Sequence, residues 1–347
     1  MIQNLLKDRG LPELRTRREM LDLLQREEYG LLPALPQKVT FDETRSIVPK
    51  FCAGKAELFR VDAHCTLENG TFSFPFFCAM PEGEGRFPFF IHINFRPDIP
   101  DRYMPTEELI DNGFAVFSFC YNDVTADNAD FTDGLAGVLF PDGSRAPSDP
   151  GKIAMWAWAA QRVMDYAQTR TDKLDLARGI VCGHSRLGKT ALLTAAADER
   201  VAFAYSNNSG CSGDSLFRGN TGEQLEDIAR VFPYWFCERF RTYAGRVNEL
   251  PFDQHYLLAC IAPRYVCVGS AAEDAWADPV SQRLCCSAAN DAFAGCGVTG
   301  FAEEDRPARI GDKFFDGHIG FHKRAGLHYF SREDWNRLIE FVKLHSQ

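Results

Sequence analysis

A chain of 347 residues with 45% hydrophobic and 25% charged side chains can bury a sizeable core, which excludes a disordered tail and suits one large α/β sheet with long loops. The net charge of -10 and the scatter of Lys and Arg exclude a nucleic-acid footprint and point to a small molecule or oligosaccharide as partner. No run reaches transmembrane length, so no membrane partner is expected, and nothing in the pattern fixes the oligomeric state.

The first stretch, MIQNLLKDRGLPELRTRREMLDLLQ, is charged and amphipathic and lacks the apolar core of a secretory signal. Several of the twelve cysteines (Cys120, Cys182, Cys260, Cys267) sit in strand-like apolar runs and none forms a C-x-x-C pair. The expectation is buried free thiols in a reducing cytoplasm. Residues 1 to about 50 read as one amphipathic helix, the connector LLPALPQK and a short extended segment, capping a single catalytic domain over 51–347. Alternation from Lys55 to Ala79 predicts two antiparallel strands joined at Asn69-Gly70, forming one edge of a sheet.

Continuous apolar runs at 87–95 and 114–121 predict strands covered on both faces. Residues 122–150 are acidic and rich in Gly and Pro, and read as an irregular loop near the site. Helical periodicity over Lys152–Arg170, with Trp156 and Trp158, is followed by the strand RGIVCG and the helix LGKTALLTAAADE. FAYSNNSG and RYVCVGS supply later strands, and SREDWNRLIEFVKLH is a closing helix with an N-cap signal at Ser331. Alternating strands and helices of this kind predict a mostly parallel sheet flanked by helices, with its site at the carboxyl ends of strands.

GHSRLGKT, residues 183–190, follows a strand and opens a helix, where free backbone N–H groups stabilise negative charge. Two chemistries fit. As a nucleophile elbow it lifts Ser185 to the tip of a tight turn, with the Arg186 N–H facing an oxyanion, although the second glycine comes one residue later than in G-x-S-x-G. As G-x-x-x-x-G-K-[ST] it is also a phosphate-cradling loop. Against that reading, RYVCVGSAAED ends its strand in small residues rather than in a metal-binding Asp.

The ordered blocks GHSRLGKTAL, SNNSGCSG, FPYWFC, LPFDQHYLLACIAPR, AAEDAWADP and GFHKRAGLH resemble the glucuronoyl esterases, especially their bacterial branch, over roughly residues 80–345. The resemblance implies an α/β-hydrolase, a three-layer sandwich, that cleaves glucuronic-acid esters of plant cell-wall xylan without a metal or cofactor. It makes Ser185 the nucleophile, Arg186 an oxyanion partner, His328 the general base and Lys189 a contact for sugar hydroxyls. The base suits the chemistry, since deprotonating a serine needs a group that titrates near neutrality. His318 and His322 read as lying in the same loop as His328 but outside its motif block, and His92 and His255 read as structural.

Many members of that family carry a glutamate where this chain has Asn208, which bears no charge to orient an imidazolium. The resemblance then assigns the acid to Asp274, with Glu273 and Asp278 as fallbacks; Asp278, before Pro279, also suits a helix cap. It implies that Trp276 stacks on the sugar ring and that Glu223 approaches sugar hydroxyls. The expected activity is a serine carbohydrate esterase acting on short uronate esters. Acetyl-sugar or pectin-type methyl esters are alternative substrates on the same scaffold. A nucleotide-binding protein and an inactive sugar-binding homologue are the alternatives of other classes.

Overall fold

The computed structural model describes residues 2–98, 101, 104–302 and 304–346. Its sheet has ten strands: β1 (Lys38–Arg45), β2 (Ala56–Leu67), β3 (Gly70–Pro81), β4 (Phe87–Asn94), β5 (Ala115–Cys120), β6 (Leu174–His184), β7 (Phe203–Asn207), β8 (Tyr265–Ala271), β9 (Lys313–Phe314) and β10 (Ile319–Arg324). They lie in the spatial order β1-β2-β3-β5-β4-β6-β7-β8-β10-β9. The expected hairpin forms as β2 and β3, with Leu67 opposite Gly70. It is not the edge, however. The extended segment before it is an eight-residue strand that pairs antiparallel with β2 from Lys38 opposite Thr66 to Arg45 opposite Phe59.

From β5 to β10 the neighbouring strands run parallel, as alternating strands and helices require. Among the described residues ten α-helices surround them: α1 (Ile2–Lys7), α2 (Arg17–Leu24), α3 (Thr106–Asp111), α4 (Gly134–Leu139), α5 (Lys152–Thr169), α6 (Arg186–Ala197), α7 (Leu225–Val231), α8 (His255–Ala259), α9 (Pro279–Gly295) and α10 (Arg332–Leu344). Every residue of β5 and most of β4 is buried, because successive side chains meet different layers. Phe89, Ile91 and Ile93 enter the core on the α5 and α6 side. Phe90 faces the other way, edge-on to Trp335 of α10. The result is a helix–sheet–helix sandwich, as expected of an α/β-hydrolase.

The larger core holds Trp156 and Trp158 of α5, both fully buried, against Phe72, Phe74 and Phe76 of β3. Truncating either tryptophan to Ala would cost about 3–5 kcal/mol, a large share of a domain's net stability. At the chain's closing helix, Ser331 caps α10 in a reciprocal box with Asp334, as its sequence signal indicates.

The N-terminal segment departs from expectation. Two helices replace the single one, since Gly10, Leu11 and Pro12 interrupt the pattern and Thr16 begins α2 afresh with a capping box to Glu19. Met20, Leu24 and Tyr29 belong to the same core as β3 and α5. Within 122–150 one short helix, α4, interrupts the loop. Among the described residues no helix is long and apolar enough to cross a membrane.

Candidate active site

β6 runs directly into α6, and the residue between them is Ser185, with φ 57° and ψ −127°. A side chain other than glycine in that region costs on the order of 1–3 kcal/mol, so neighbours must hold it. They do so through its backbone. The Ser185 N–H donates to the Asn207 carbonyl at 2.9 Å, and its carbonyl accepts from Gly188 N–H at 2.8 Å. A Cβ on Gly183 would lie 2.2 Å from the Leu187 carbonyl oxygen, and one on Gly188 would meet Ser206 Oγ at 2.9 Å and Ser209 Cβ at 3.0 Å. The late second glycine thus serves the crossing of α6 over β7.

The same geometry removes the nucleotide alternative. Lys189 is 2% exposed, and its Nζ donates to the carbonyls of Ser209 and Cys211. Thr190 Oγ1 donates back to the Arg186 carbonyl at 2.9 Å. The two side chains that a phosphate loop would offer to phosphate and magnesium are therefore occupied by the backbone. Lys189 is equally unlike a solvated helix lysine; it lines the cavity beside Ser185 while tying down the loop after β7.

That cavity, about 170 Å³, brings together Ser185, Arg186, Lys189, Glu223, Trp276 and His328. Asp274 lies behind it, 6% exposed, and its Oδ2 accepts from His328 Nδ1 at 2.6 Å and from Asn208 Nδ2 at 3.0 Å. With an acceptor on Nδ1, the neutral imidazole carries its proton there and leaves Nε2 to accept one. The two fallback acids have other partners. Glu273 accepts from Gly326 N–H at 3.0 Å and clasps the loop that bears the histidine. Asp278 caps α9 through Ser281 N–H at 3.0 Å and also accepts from Thr221 N–H at 2.7 Å.

Neither His318 nor His322 shares the loop of His328: His318 precedes β10, and His322 lies on it, bonded to the Tyr205 hydroxyl at 2.9 Å. His318 Nδ1 donates to the Pro263 carbonyl at 2.6 Å, and His255 Nε2 to that of Pro12 at 3.1 Å. His92 sits buried against Met104 Sδ at 3.1 Å.

Trp276 is 57% exposed at the mouth of the cavity, where a stacking face must lie. Its carbonyl accepts from the Glu223 N–H at 2.9 Å, and burial raises the Glu223 carboxyl above its usual range. Three contributors carried no assignment in the sequence. His184 stands 4.5 Å from the His328 ring, donates Nδ1–H to Asn207 Oδ1 at 2.8 Å, and is pushed down to about 3 by burial and then by His328. It is a neutral wall behind the His328 ring. Phe232 and Trp235, stacked with centroids 3.9 Å apart, line the same cavity. The block FPYWFC was the only sign of them.

A family model described as "Glucuronyl esterase, fungi" matches residues 64–297. A curated relative, Carbohydrate esterase MZ0003 from an unknown prokaryotic organism, is 37% identical over 69% of this chain and 55% of its own length. The 4-O-methyl-glucuronoyl methylesterase of Podospora anserina is 28% identical over 81% of this chain and 56% of its own. The chain thus spans little more than half the length of these curated relatives. A solved CE15 glucuronoyl esterase from Teredinibacter turnerae superposes with a TM-score of 0.85 at 29% identity, covering 95% of this chain and 84% of that one. With the elbow serine, the imidazole and the buried acid converging beneath one cavity, this chain belongs to the glucuronyl esterase family.

Proposed function

We propose that this protein hydrolyses esters of uronic acids through an acyl-enzyme on Ser185. The observation that carries the reading is the shared cavity of Ser185 and His328 together with the His328 to Asp274 hydrogen bond of 2.6 Å. His328 Nε2 takes the Ser185 proton as the hydroxyl oxygen attacks the ester carbonyl. Asp274 fixes the tautomer and stabilises the imidazolium. The α6 N-terminal amides and Arg186 receive the oxyanion, and His328 returns its proton to the departing alcohol. Water, deprotonated by the same nitrogen, then attacks the acyl carbon, and His328 passes that proton to Ser185 Oγ as the acyl–oxygen bond breaks and the uronic acid leaves.

The sugar half is read from the opposite wall. Trp276 offers an aromatic face to a pyranose, while the one Lys189 N–H left over from Ser209 and Cys211 and the Glu223 carboxyl provide a donor and an acceptor for its hydroxyls. All twelve cysteines are free and ten are buried, which supports a cytoplasmic setting and short, soluble esters as substrates.

The test is hydrolysis of methyl glucuronate, methyl galacturonate and acetylated xylose side by side, with Ser185→Ala as control. Turnover of methyl glucuronate above the other two supports the reading. Acetyl-sugar hydrolysis without uronate turnover makes the protein a deacetylase on this scaffold, and uronate binding without turnover makes it a sugar-binding homologue.

A further inference from the structure

Arg186 does not stand free at the cavity. Its Nη1 donates to Asp127 Oδ2, and its guanidinium carbon lies 4.6 Å from the Trp235 ring centroid and 5.5 Å from that of Phe232. Asp127 is in turn held from several sides. Its Oδ1 accepts from Trp235 Nε1 at 2.6 Å and its Oδ2 from the Tyr121 hydroxyl at 3.0 Å. Its carbonyl accepts from the Tyr234 hydroxyl at 3.2 Å, and its N–H donates to Asn122 Oδ1 at 2.9 Å. Burial, followed by the Asp127 charge, pushes the Tyr121 phenol up to about 12, so it remains a donor.

The segment carrying Asp127 is pinned as well. Lys152 Nζ, buried beneath it, donates to Thr125 Oγ1 at 2.7 Å and to the Asp130 carbonyl at 2.6 Å, with Asp133 Oδ1 at 3.3 Å. Trp156 Nε1 donates to the Thr125 carbonyl at 3.1 Å. Residues 125–133 are thus anchored behind Arg186, outside the cavity lining. Meanwhile Arg186 Nε, also buried, has no acceptor among the described residues.

We propose that Asp127 is a positioning residue that presets the Arg186 guanidinium for the oxyanion, with Tyr121 and Trp235 fixing the carboxylate. The inference rests on the oxyanion role given to Arg186 above. Donors fixed before the reaction need no reorganisation as charge develops, whereas a loose arginine must be ordered in each turnover. Charge alone predicts the opposite sign. A carboxylate paired with Arg186 weakens its positive field, so removing that carboxylate should speed oxyanion formation if field strength were what mattered.

Kinetics on methyl glucuronate with Asp127→Asn, Asp127→Glu, Arg186→Ala and the Asp127→Asn/Arg186→Ala double variant separate these accounts. Asp127→Asn is expected to lower kcat about 10- to 100-fold, less than loss of a whole oxyanion donor, with KM within about threefold. Asp127→Glu should recover part of the loss. In the Arg186→Ala background the same substitution should cost less than about twofold, the mark of two residues acting as one unit. An equal loss in both backgrounds, no loss, or a rise in kcat overturns the proposal. Tyr121→Phe removes one hydroxyl and serves as a second probe if Asp127→Asn lowers the melting temperature; its several-fold loss must likewise vanish with Arg186→Ala. A wild-type protein that cleaves no ester defeats the esterase reading instead.

Discussion

Asn208 Nδ2 and His328 Nδ1 both donate to one oxygen, Oδ2 of Asp274, at 3.0 and 2.6 Å. The amide at 208 therefore completes the acid instead of competing with it. A carboxylate in its place would face Asp274 at a separation where two negative charges do not both persist. An acid at 274 and an uncharged donor at 208 go together.

Asp274→Asn should reduce kcat about 10³- to 10⁴-fold by presenting the imidazole in the wrong tautomer. Asn208→Ala, which removes one of two hydrogen bonds to the acid, should cost about tenfold. Asn208→Asp should move the acid limb of the kcat/KM profile to higher pH, because the paired carboxyls then share a proton. Steady-state rates from pH 4 to 9 decide this, and an unmoved acid limb would separate Asn208 from the acid.

Gly188→Ala should destabilise the fold by about 1–3 kcal/mol, since the new methyl meets Ser206 Oγ at 2.9 Å and Ser209 Cβ at 3.0 Å. Urea unfolding measures the loss. Activity should fall with it, because α6 can clear β7 only by moving Ser185. Wild-type stability in the variant would show that the crossing has slack.

Trp276→Ala should raise KM for uronate esters about three- to tenfold and leave kcat within about twofold, as expected of an exposed stacking surface that binds ground and transition states alike. Initial rates over a range of methyl glucuronate separate the two constants. A collapse of kcat alone would place Trp276 in the chemistry.

Glu28 gives a pH dependence of stability. Fully buried and bonded at both oxygens by Gln254 Nε2 at 2.8 Å, it is raised by desolvation from an ordinary 4.5 to about 8. Between those pH values the unfolded chain has released a proton that the folded chain keeps, so this group's contribution declines as pH rises from 4.5 to 8 and is level below. Glu28→Gln carries no such proton. Its melting temperature relative to wild type should therefore climb from pH 5 to pH 8.5, and a difference independent of pH would refute the assignment.

Much of the site is legible along the chain because its parts sit in local signals. The strand-to-helix passage at Ser185, the loop before the Ser331 cap and the acid cluster after β8 are each short and continuous. What the sequence hides is made by distance. Asp127 and Trp235 meet across 108 residues, and nothing in either neighbourhood announces the other. Strand β10 is masked for a different reason. His322 and Arg324 break its apolar pattern, yet both are buried, because Tyr205 and Asp334 satisfy them. At the N-terminal segment apolar residues recur on both sides of Gly10 and Pro12, so periodicity reads as one helix what these two residues divide into two.

The Tyr29 hydroxyl donates to the Ser212 carbonyl at 2.7 Å, beneath the loop that Lys189 clamps from the side of the catalytic cavity. The cavity consequently joins stretches of polypeptide made far apart in time: Tyr29 underpins a floor that stays without its imidazole until His328 has left the ribosome and folded back. Closure across so long an interval is slow, and partly synthesised chains carry an incomplete, inert centre. Any hydrolysis should accordingly appear only once His328 has emerged, with a lag set by folding.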